Sequence, residues 1–513
     1  KDATTGEALI GVNVTGKGTT MGTVTDIDGK FTLELPKDVT ALVFSYIGYT
    51  NLEKPILSLN IDAAMSAEGK QLEEVVVTSF AVKRESRSTS FATQTVKNED
   101  FNKTGGNVFD ALQGKVAGVK INATSGQVGT SNRVVIRGES SITGNNNALL
   151  VVDGIPINNK FRGDDNFVSN YTDFGNNGNA VNPDDIESMT VLSGPSAVAL
   201  YGSRGTSGVI VITTKSGKSK DKDKLKVAIN SSVGFDKVYL VYKRQEKYGE
   251  GYYPNGIVPG ENFSWGPEVD GITRIWTAPY TLPDGSTAQL IRPYSAIKDQ
   301  LKQFFNTGIT VNNGISFQGS SDKFNYYVSY NNLNNKGTIP GVYYKKNNVT
   351  FNANANLTKN FSTSFGLKYT NINQDQKVSG REFANPYQAA IQTPINIPIS
   401  EVRDYNSPFQ NLEGYYGSYT PNPFFVLAKT ASISKSHNVI ANLELNYKPI
   451  EDLTLTARIG ENIVVQDINI QKPKYQYTID KFNPDNIGGA RVGNPGFYKL
   501  DNWLTSDLNV DLT

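Results

Sequence analysis

The sequence has no cysteine, one histidine and three methionines among its 513 residues. Without cysteine there are no disulfides, thiol nucleophiles or thiolate metal sites. With a single histidine, most metal sites built on imidazole are also excluded. That residue, His437 in "ISKSHNVIANLELNY", reads as an ordinary surface residue ahead of an alternating strand. Neither sign of charge dominates: 50 Lys and Arg face 49 Asp and Glu. Such a balance argues against a nucleic-acid binder, which carries a basic excess or patch. No stretch reaches the roughly 18 apolar residues of a membrane-spanning helix. The longest apolar runs, "ALVFSYIGY" (41–49) and "ALLVVDGIPI" (148–157), are strand-sized. The chain opens on "KDATTGEALIGVNVTGKGTT", already a folded-domain pattern, so an export signal and a first strand are expected to precede it.

Several chemistries fall next. The glycine-laced stretch "VLSGPSAVALYGSRGTSGVIVITTK" (191–215) suggests a phosphate cradle, but the order is wrong. A P-loop needs Gly, four residues, then Gly-Lys-Ser/Thr, and no Lys stands among these glycines. A serine-hydrolase elbow needs G-x-S-x-G, whereas Gly194-Pro195-Ser196-Ala197-Val198 has valine at the last place. Gly194, Gly202, Gly205 and Gly208 read instead as turn and packing devices that let backbone run close to a wall. "DIDGKF" (26–31) is turn chemistry, since the further oxygen ligands of a calcium loop are missing. No constellation of catalytic residues, cofactor site or metal site emerges, and an enzyme is not expected.

What is present is organised along the chain. The length suggests two to four domains. Residues 1–60 hold short β-rich runs separated by turns, and 61–74 form a polar connector. In "LEEVVVTSFAVKRES", Val75, Val76, Val77 and Thr78 make a short β-prone segment flanked by charge. Two readings stay open there: a strand of a neighbouring domain, or an extended peptide awaiting a partner's sheet edge. Residues 99–218 are an α+β stretch. Val108, Ala111, Leu112 and Val116 predict a short helix, and "RVVIRGESSI" and "ALLVVDGIPI" predict strands.

From about residue 225 the texture changes. "NVTFNANANLT" puts Val349, Phe351, Ala353, Ala355 and Leu357 on one face and Thr350, Asn352, Asn354, Asn356 and Thr358 on the other. "FSTSFGLKYTNIN", "NVIANLELNYKP" and "LTLTARIGEN" repeat the device. Strands of about ten residues, greasy on one face and amide- or hydroxyl-bearing on the other, fit a transmembrane β-barrel. Closure satisfies every backbone group inside hydrocarbon. Tyr326, Tyr327 and Tyr330 suit an interfacial aromatic girdle. The competing reading is a soluble antiparallel sandwich with its apolar faces inward. Long loops such as 371–435 alternate with short turns such as 358–360 and 448–452, the asymmetry of an outer-membrane barrel.

The order of these parts resembles a SusC-like (SusC/RagA-type) TonB-dependent outer-membrane transporter. The carriers are "EEVVVTSF" (73–80), "ALQGKVAGVKI" (111–121), "RVVIRGESSI" (133–142), "ALLVVDGIPI" (148–157), "NPDDIESMTVLSGPSAVALYGSRGTSGVIVITTK" (182–215), "SWGP" (264–267) and the run 304–340. Ser79-Phe80 departs from the Gly-Tyr that usually follows VVVT in this family. The resemblance implies a mainly β protein: a transmembrane antiparallel barrel of about 22 strands, plugged by an α+β domain, behind a small N-terminal β-sandwich. The expected domains are a carboxypeptidase-regulatory-like β-sandwich at 1–64, a linker with the TonB box at 65–85, a plug at 86–218 and part of the barrel at 219–513. Residues 225–513 supply only about half of such a barrel, so the chain is expected to be the N-terminal portion of a longer one.

The resemblance also implies a function: TonB-dependent import of a glycan or oligopeptide across the outer membrane of a Gram-negative bacterium. Val75, Val76, Val77 and Thr78 would contact TonB from the periplasm, where the N-terminal domain would also lie. A SusD-like surface lipoprotein would act as lid, outer-membrane lipid would surround the barrel, and transporter–lid pairs would associate as dimers. Arg133 and Arg137 would pair with acidic residues of the barrel wall, against a simple solvated strand face as the other reading. Plug loops 125–132 and 158–180 would face the substrate cavity or solvent. The rival function is a non-transporting surface adhesin or glycan-binding protein.

Overall fold

The structure, a computed structural model, describes residues 1–3, 5–36, 39–58, 60–66, 75–77, 83–85, 93–101, 107–139, 141–142, 146–157, 159, 172–219, 221–239, 243–252, 256–258, 260–377, 385–417, 420–477 and 493–513. It divides into two compact units, Lys1–Val75 and Val76–Thr513.

In the first unit, β1 (Asn13–Gly16), β2 (Gly22–Val24), β3 (Ala41–Ser45) and β4 (Leu52–Pro55) form one antiparallel sheet in the order β2-β1-β3-β4. Alternation sends Val14, Leu42 and Phe44 to one face, where Phe31, Leu33 and Leu35 pack on them. The Asp26 carboxylate caps its own turn, accepting from the Asp28 and Lys30 amides at 3.0 and 2.8 Å. That is the turn chemistry expected of Asp-x-Asp-Gly.

In the second unit, β5 (Val75–Val77) and β6 (Lys83–Glu85) make a two-stranded ladder. The α+β region follows, with β7 (Thr93–Lys97), β8 (Val119–Ala123), β9 (Asn132–Ile136), β10 (Leu149–Val152), β11 (Ile155–Ile157), β12 (Ile186–Leu192), α1 (Pro195–Tyr201) and β13 (Val209–Thr214). Five of these strands form a mixed sheet, β11-β10-β13-β12-β7, and β8 pairs with β9. The helix expected around Val108–Val116 is only a 3-10 turn at Asp110–Leu112. Gly114 and Gly118, at φ 75° and 73°, break the right-handed course, although Val108, Ala111 and Leu112 are buried as that spacing requires. The run "ALLVVDGIPI" is two strands rather than one. Asp153 and Gly154, at φ 47° and 86°, turn β10 back onto β11, and two positive φ values are what a tight hairpin of this kind needs.

The rest is dominated by one sheet of eight strands: β14 (Lys226–Asp236), then, after the small ladders β15 (Thr273–Ile275) with β18 (Ile291–Pro293) and β16 (Tyr280–Thr281) with β17 (Thr287–Ala288), β19 (Gly308–Ser320), β20 (Phe324–Lys336), β21 (Tyr343–Asn356), β22 (Phe361–Asp375), β23 (Ala431–Ile450), β24 (Leu453–Lys472) and β25 (Phe497–Leu512). Each long strand pairs antiparallel with the next. Segments 321–323, 357–360 and 451–452 are tight turns at one end; 237–307, 337–342, 376–430 and 473–496 connect at the other. Helices α2 (Pro386–Gln392), α3 (Ile399–Val402) and α4 (Pro423–Lys429) lie in the third of these longer connections.

This sheet is inside out by the standard of a soluble protein. Val349 is 42% exposed while its neighbour Thr350 is 4% exposed. Phe365, Leu367, Leu443 and Ile459 share the exposed face; Asn348, Thr370, Asn438 and Asn462 share the buried one. A sandwich reading would require the reverse. Alternation also corrects one expectation: Tyr326 and Tyr327, being adjacent, cannot share a girdle. Tyr330 is exposed and Tyr326 stacks on Phe324, whereas Tyr327 is buried on the inner face.

Candidate functional site

The buried polar face of the sheet meets the α+β region, and their contacts define the site. At the tip of the β10–β11 hairpin, the Asp153 carboxylate accepts from the backbone N–H of Thr214 at 2.8 Å and from its hydroxyl at 2.7 Å. It also receives the ammonium of Lys368, on β22, at 2.6 Å, and both side chains are largely buried. Burial alone pushes this carboxyl up. The Lys368 charge and hydrogen bond, with those of Thr214, outweigh it and hold Asp153 below the usual carboxylate range.

A second anchor sits at Asp185, where the turn Pro183–Asp185 enters β12. Its two carboxylate oxygens accept from the Tyr327 hydroxyl at 2.8 Å and the Thr350 hydroxyl at 2.7 Å. Around these anchors the inner wall donates to backbone carbonyls. Thr370 Oγ1 reaches Ala180 O at 2.6 Å, Gln374 Nε2 reaches Phe174 O at 2.8 Å, and Asn352 Nδ2 reaches Lys215 O at 2.7 Å. Apolar contact is sparse by comparison: Ile440 joins the main core and Phe174 packs on Ile468 and Ile470. Among the described residues, the boundary is therefore held by many separable hydrogen bonds together with the Asp153–Lys368 ion pair.

Of the residues singled out in the sequence, Arg133 pairs with Glu139 of its own region at 2.6 Å, both half exposed. Arg137 has φ 57° and donates its backbone N–H to Gly118. The charges that do cross the boundary run opposite to the expectation, with the cation on the wall and the carboxylate on the inner domain. Sequence reasoning passed over Asp153, Asp185 and Lys368, set Thr350 on the polar face without a partner, and assigned Tyr327 to the girdle. The available signal was parity: Lys368 falls on the inward face of "FGLKYT", between Gly366 and Thr370.

The four glycines separate by cause. A Cβ on Gly205 would stand 2.4 Å from the carbonyl oxygen of Ala197, and one on Gly208, which also has φ 88°, would stand 2.6 Å from Ile136 Cδ1. Gly194 and Gly202 cap α1 at φ 68° and 62°, and Gly202 has nothing within 4 Å. Backbone conformation, not a nearby wall, demands glycine there. Val75, Val76 and Val77 are strand β5; Thr78 lies outside the described residues. In loop 125–132, Thr130, Ser131 and Asn132 are buried, and the Asp173 carboxylate holds Ser131 through its amide and hydroxyl at 2.9 and 2.8 Å. In 158–180, residues 158 and 160–171 lie outside the described residues, and Thr172–Ala180 are buried against the wall rather than bordering solvent. Among the described residues no three His, Cys, Asp or Glu side chains gather as a metal site would require.

Beyond the strands, two of the long connections share a core of their own. Trp276, Leu301 and Phe304 pack with Ile397, Tyr415, Tyr416 and Phe424. Glu250 is buried within it, accepting from the Gly260 N–H at 2.8 Å. Burial, reinforced by nearby Glu261, pushes its carboxyl up to about 8. The "SWGP" motif braces this point, since the Gly266 amide donates to Gly249 O and a Cβ there would meet Glu250 O at 2.1 Å.

Comparison with known proteins agrees with this geometry. Residues 85–209 match the TonB-dependent receptor plug domain, and residues 1–77 match the CarboxypepD_reg-like domain. The chain is 30% identical over 482 residues to the TonB-dependent receptor SusC of Bacteroides thetaiotaomicron, covering 89% of this chain and 43% of SusC. It is 29% identical over 448 residues to the TonB-dependent receptor P26 of Formosa agariphila, covering 87% of this chain and 40% of that protein. The RagAB peptide importer in its open-open state superposes with a TM-score of 0.56 at 20% identity, over 79% of this chain and 44% of that one. The chain thus spans less than half the length of the relatives it matches. With a plug domain hydrogen-bonded to the polar face of an inside-out sheet, it belongs to the SusC-like TonB-dependent receptors.

Proposed function

We propose that this chain supplies the plug and an arc of the barrel wall of a transporter that imports a sizeable nutrient, a glycan or an oligopeptide, across an outer membrane. The observation that carries the reading is the inverted sheet: apolar side chains face outward while amides, hydroxyls and Lys368 face inward to a plug. Such a surface suits acyl chains outside and a corked aqueous lumen within. A surface adhesin has no use for a polar interior filled by a separate domain.

Energy for import must reach the plug from the periplasmic side. Val75–Val77 is already extended, in a ladder of only two strands. We assign Val75, Val76, Val77 and Thr78 as the segment to which TonB adds a strand, through main-chain hydrogen bonds more than side chains. The first domain would then lie in the periplasm. On the other side, the surface of the long connections, built over the core of Trp276, Phe304 and Tyr415, would receive substrate beneath a SusD-like lipoprotein, and transporter–lid pairs would associate as dimers. Arg133 and Arg137 stay candidates for wall contacts only in parts of a barrel beyond this sheet.

Val76→Pro tests the TonB assignment by removing one backbone donor. Binding of the purified TonB periplasmic domain and uptake by cells should both fall, while the substrate stays bound at the surface. Unchanged TonB binding by this variant would refute the assignment.

A further inference from the structure

We propose that the outer face of β21–β23, just beyond the apolar band on the side of the long connections, seats the phosphate of an anionic lipid headgroup. The proposal rests on the reading of this sheet as a bilayer-spanning wall.

Strand register orders the outward side chains into rows. The last apolar row crosses β21, β22, β23 and β24 at Val349, Tyr369, Val439 and Ile463. One step towards the long connections, the outward residues of β21, β22 and β23 are Asn347, Asn371 and His437. One step further they are Lys345, Asn373 and Lys435. The surface thus changes from hydrocarbon to amide to cation within two rows.

Lys345 and Lys435 are exposed and flank Asn373 across two strand spacings, about 10 Å. Among the described residues neither forms an ion pair with a carboxylate. Lys345 rests over the ring of Tyr343 at 5.7 Å, which holds the ammonium near the surface without neutralising it. Just below, His437 Nδ1 meets the Tyr369 hydroxyl at 2.7 Å and the rings stack at 6.1 Å, closing the floor of the patch. Lys336 pairs in register with Tyr343 from β20 and adds a third cation. Two acids border the patch: Asp467, opposite Lys435 on β24 with the amide of Asn502 at 3.0 Å, and Asp375, opposite Tyr343 on β22 and paired with Lys377 at 2.7 Å. Lys222, paired with Asp322, and Lys226, paired with Asp221, lie at the opposite end of the strands and serve as the ion-paired comparison.

Ammonium groups outside ion-pair distance of a carboxylate, interleaved with amide donors and set where hydrocarbon gives way to water, match a phosphate that is itself tethered to acyl chains. A free phosphate would gain nothing from the adjoining apolar row. The committed occupant is therefore a phosphate-bearing lipid of the leaflet on the long-connection side.

The test uses the receptor extracted from outer membranes, inserted into phosphatidylcholine nanodiscs with or without added lipid A, with retained lipid counted by native mass spectrometry. Lys345→Gln with Lys435→Gln should reduce lipid A retention at least about fivefold, the equivalent of about 1 kcal/mol. Lys222→Gln with Lys226→Gln should leave it unchanged, dephosphorylated lipid A should not be retained, and added inorganic phosphate should not compete. Equal retention by the first pair of variants, or equal retention of dephosphorylated lipid, overturns the proposal. So does displacement of the lipid by a second copy of the receptor bound through this face. Failure of the parent protein to insert into nanodiscs, or to migrate on gels as a heat-modifiable barrel, would instead overturn the bilayer reading on which the proposal rests.

Discussion

Asp153 and Lys368 meet at 2.6 Å across the boundary between plug and wall, the carboxylate on a two-residue hairpin tip and the ammonium on a long strand. The tip is rigid because Thr214 holds the same carboxylate through its amide and its hydroxyl. Removing the carboxylate charge leaves Lys368 buried without it, a change that costs about 3–5 kcal/mol for a buried pair. Asn tolerates the positive φ at position 153, so Asp153→Asn isolates the charge. The expected result is faster amide exchange in β10 and β11 and a higher ion conductance of the receptor in planar bilayers. Exchange and conductance equal to the parent's would show that the pair does not hold the plug.

Leu443 offers a separate test of what surrounds the sheet. It is 38% exposed, mid-strand on the outward face between Leu445 and Ala441. On a water-facing surface, Leu443→Arg changes stability by no more than about 0.5 kcal/mol. In the middle of a bilayer the same change costs about 2–4 kcal/mol. Refolding titrations into lipid vesicles should give the larger loss, and a loss below about 1 kcal/mol would exclude hydrocarbon contact at this site.

The wall was legible in the sequence because its signal has period two and repeats. Val349 and Thr350 already stand on opposite faces in "NVTFNANANLT", and the structure needs nothing more to orient β21. The junction was not legible in the same way. Parity marks Lys368 as inward, yet nothing local tells which plug loop will stand opposite it. The apolar run "ALLVVDGIPI" concealed its own reversal, because strand propensity on both sides outweighed the two-residue turn at Asp153-Gly154. Tyr327 was placed in the girdle by composition, where one residue of register put it against Asp185 instead. The charge that crosses this part of the boundary was hidden for a similar reason. Arg133 and Arg137 are conspicuous in the plug sequence, but Glu139 lies six residues from Arg133 and takes it locally.

Gly205 is a packing glycine and should behave as one. Its added Cβ would lie 2.4 Å from the Ala197 carbonyl oxygen, on the backbone of α1, where no flexible side chain can yield. Gly205→Ala should cost about 1–3 kcal/mol, the range of overpacked sites. Gly126→Ala, with nothing within 4 Å and no positive φ, should stay within about 0.5 kcal/mol of the parent. Thermal unfolding of both variants checks the contrast, and equal melting temperatures would show that α1 shifts to make room.

Glu250 makes the loop core sensitive to alkaline pH. Its carboxyl is raised from 4.5 to about 8, chiefly by burial, with Glu261 adding repulsion and the Gly260 amide opposing both. The folded core therefore keeps a proton that the unfolded segment releases above about pH 4.5. By linkage, stability is full below that pH and declines by about 1.4 kcal/mol per unit as pH rises towards 8, where the folded carboxyl also ionises. The groups facing it are Glu261, whose charge adds repulsion, and Tyr294 and Tyr416, whose hydroxyls are pushed up by burial and stay neutral over this range, so none offsets the loss. Glu250→Gln keeps an oxygen for the Gly260 N–H and carries no charge. Amide exchange across 248–268 should accelerate between pH 5 and 8 in the parent beyond the intrinsic chemical rate, and should not do so in Glu250→Gln. If the two proteins follow the same pH profile, the proton on Glu250 is not what ties this core together.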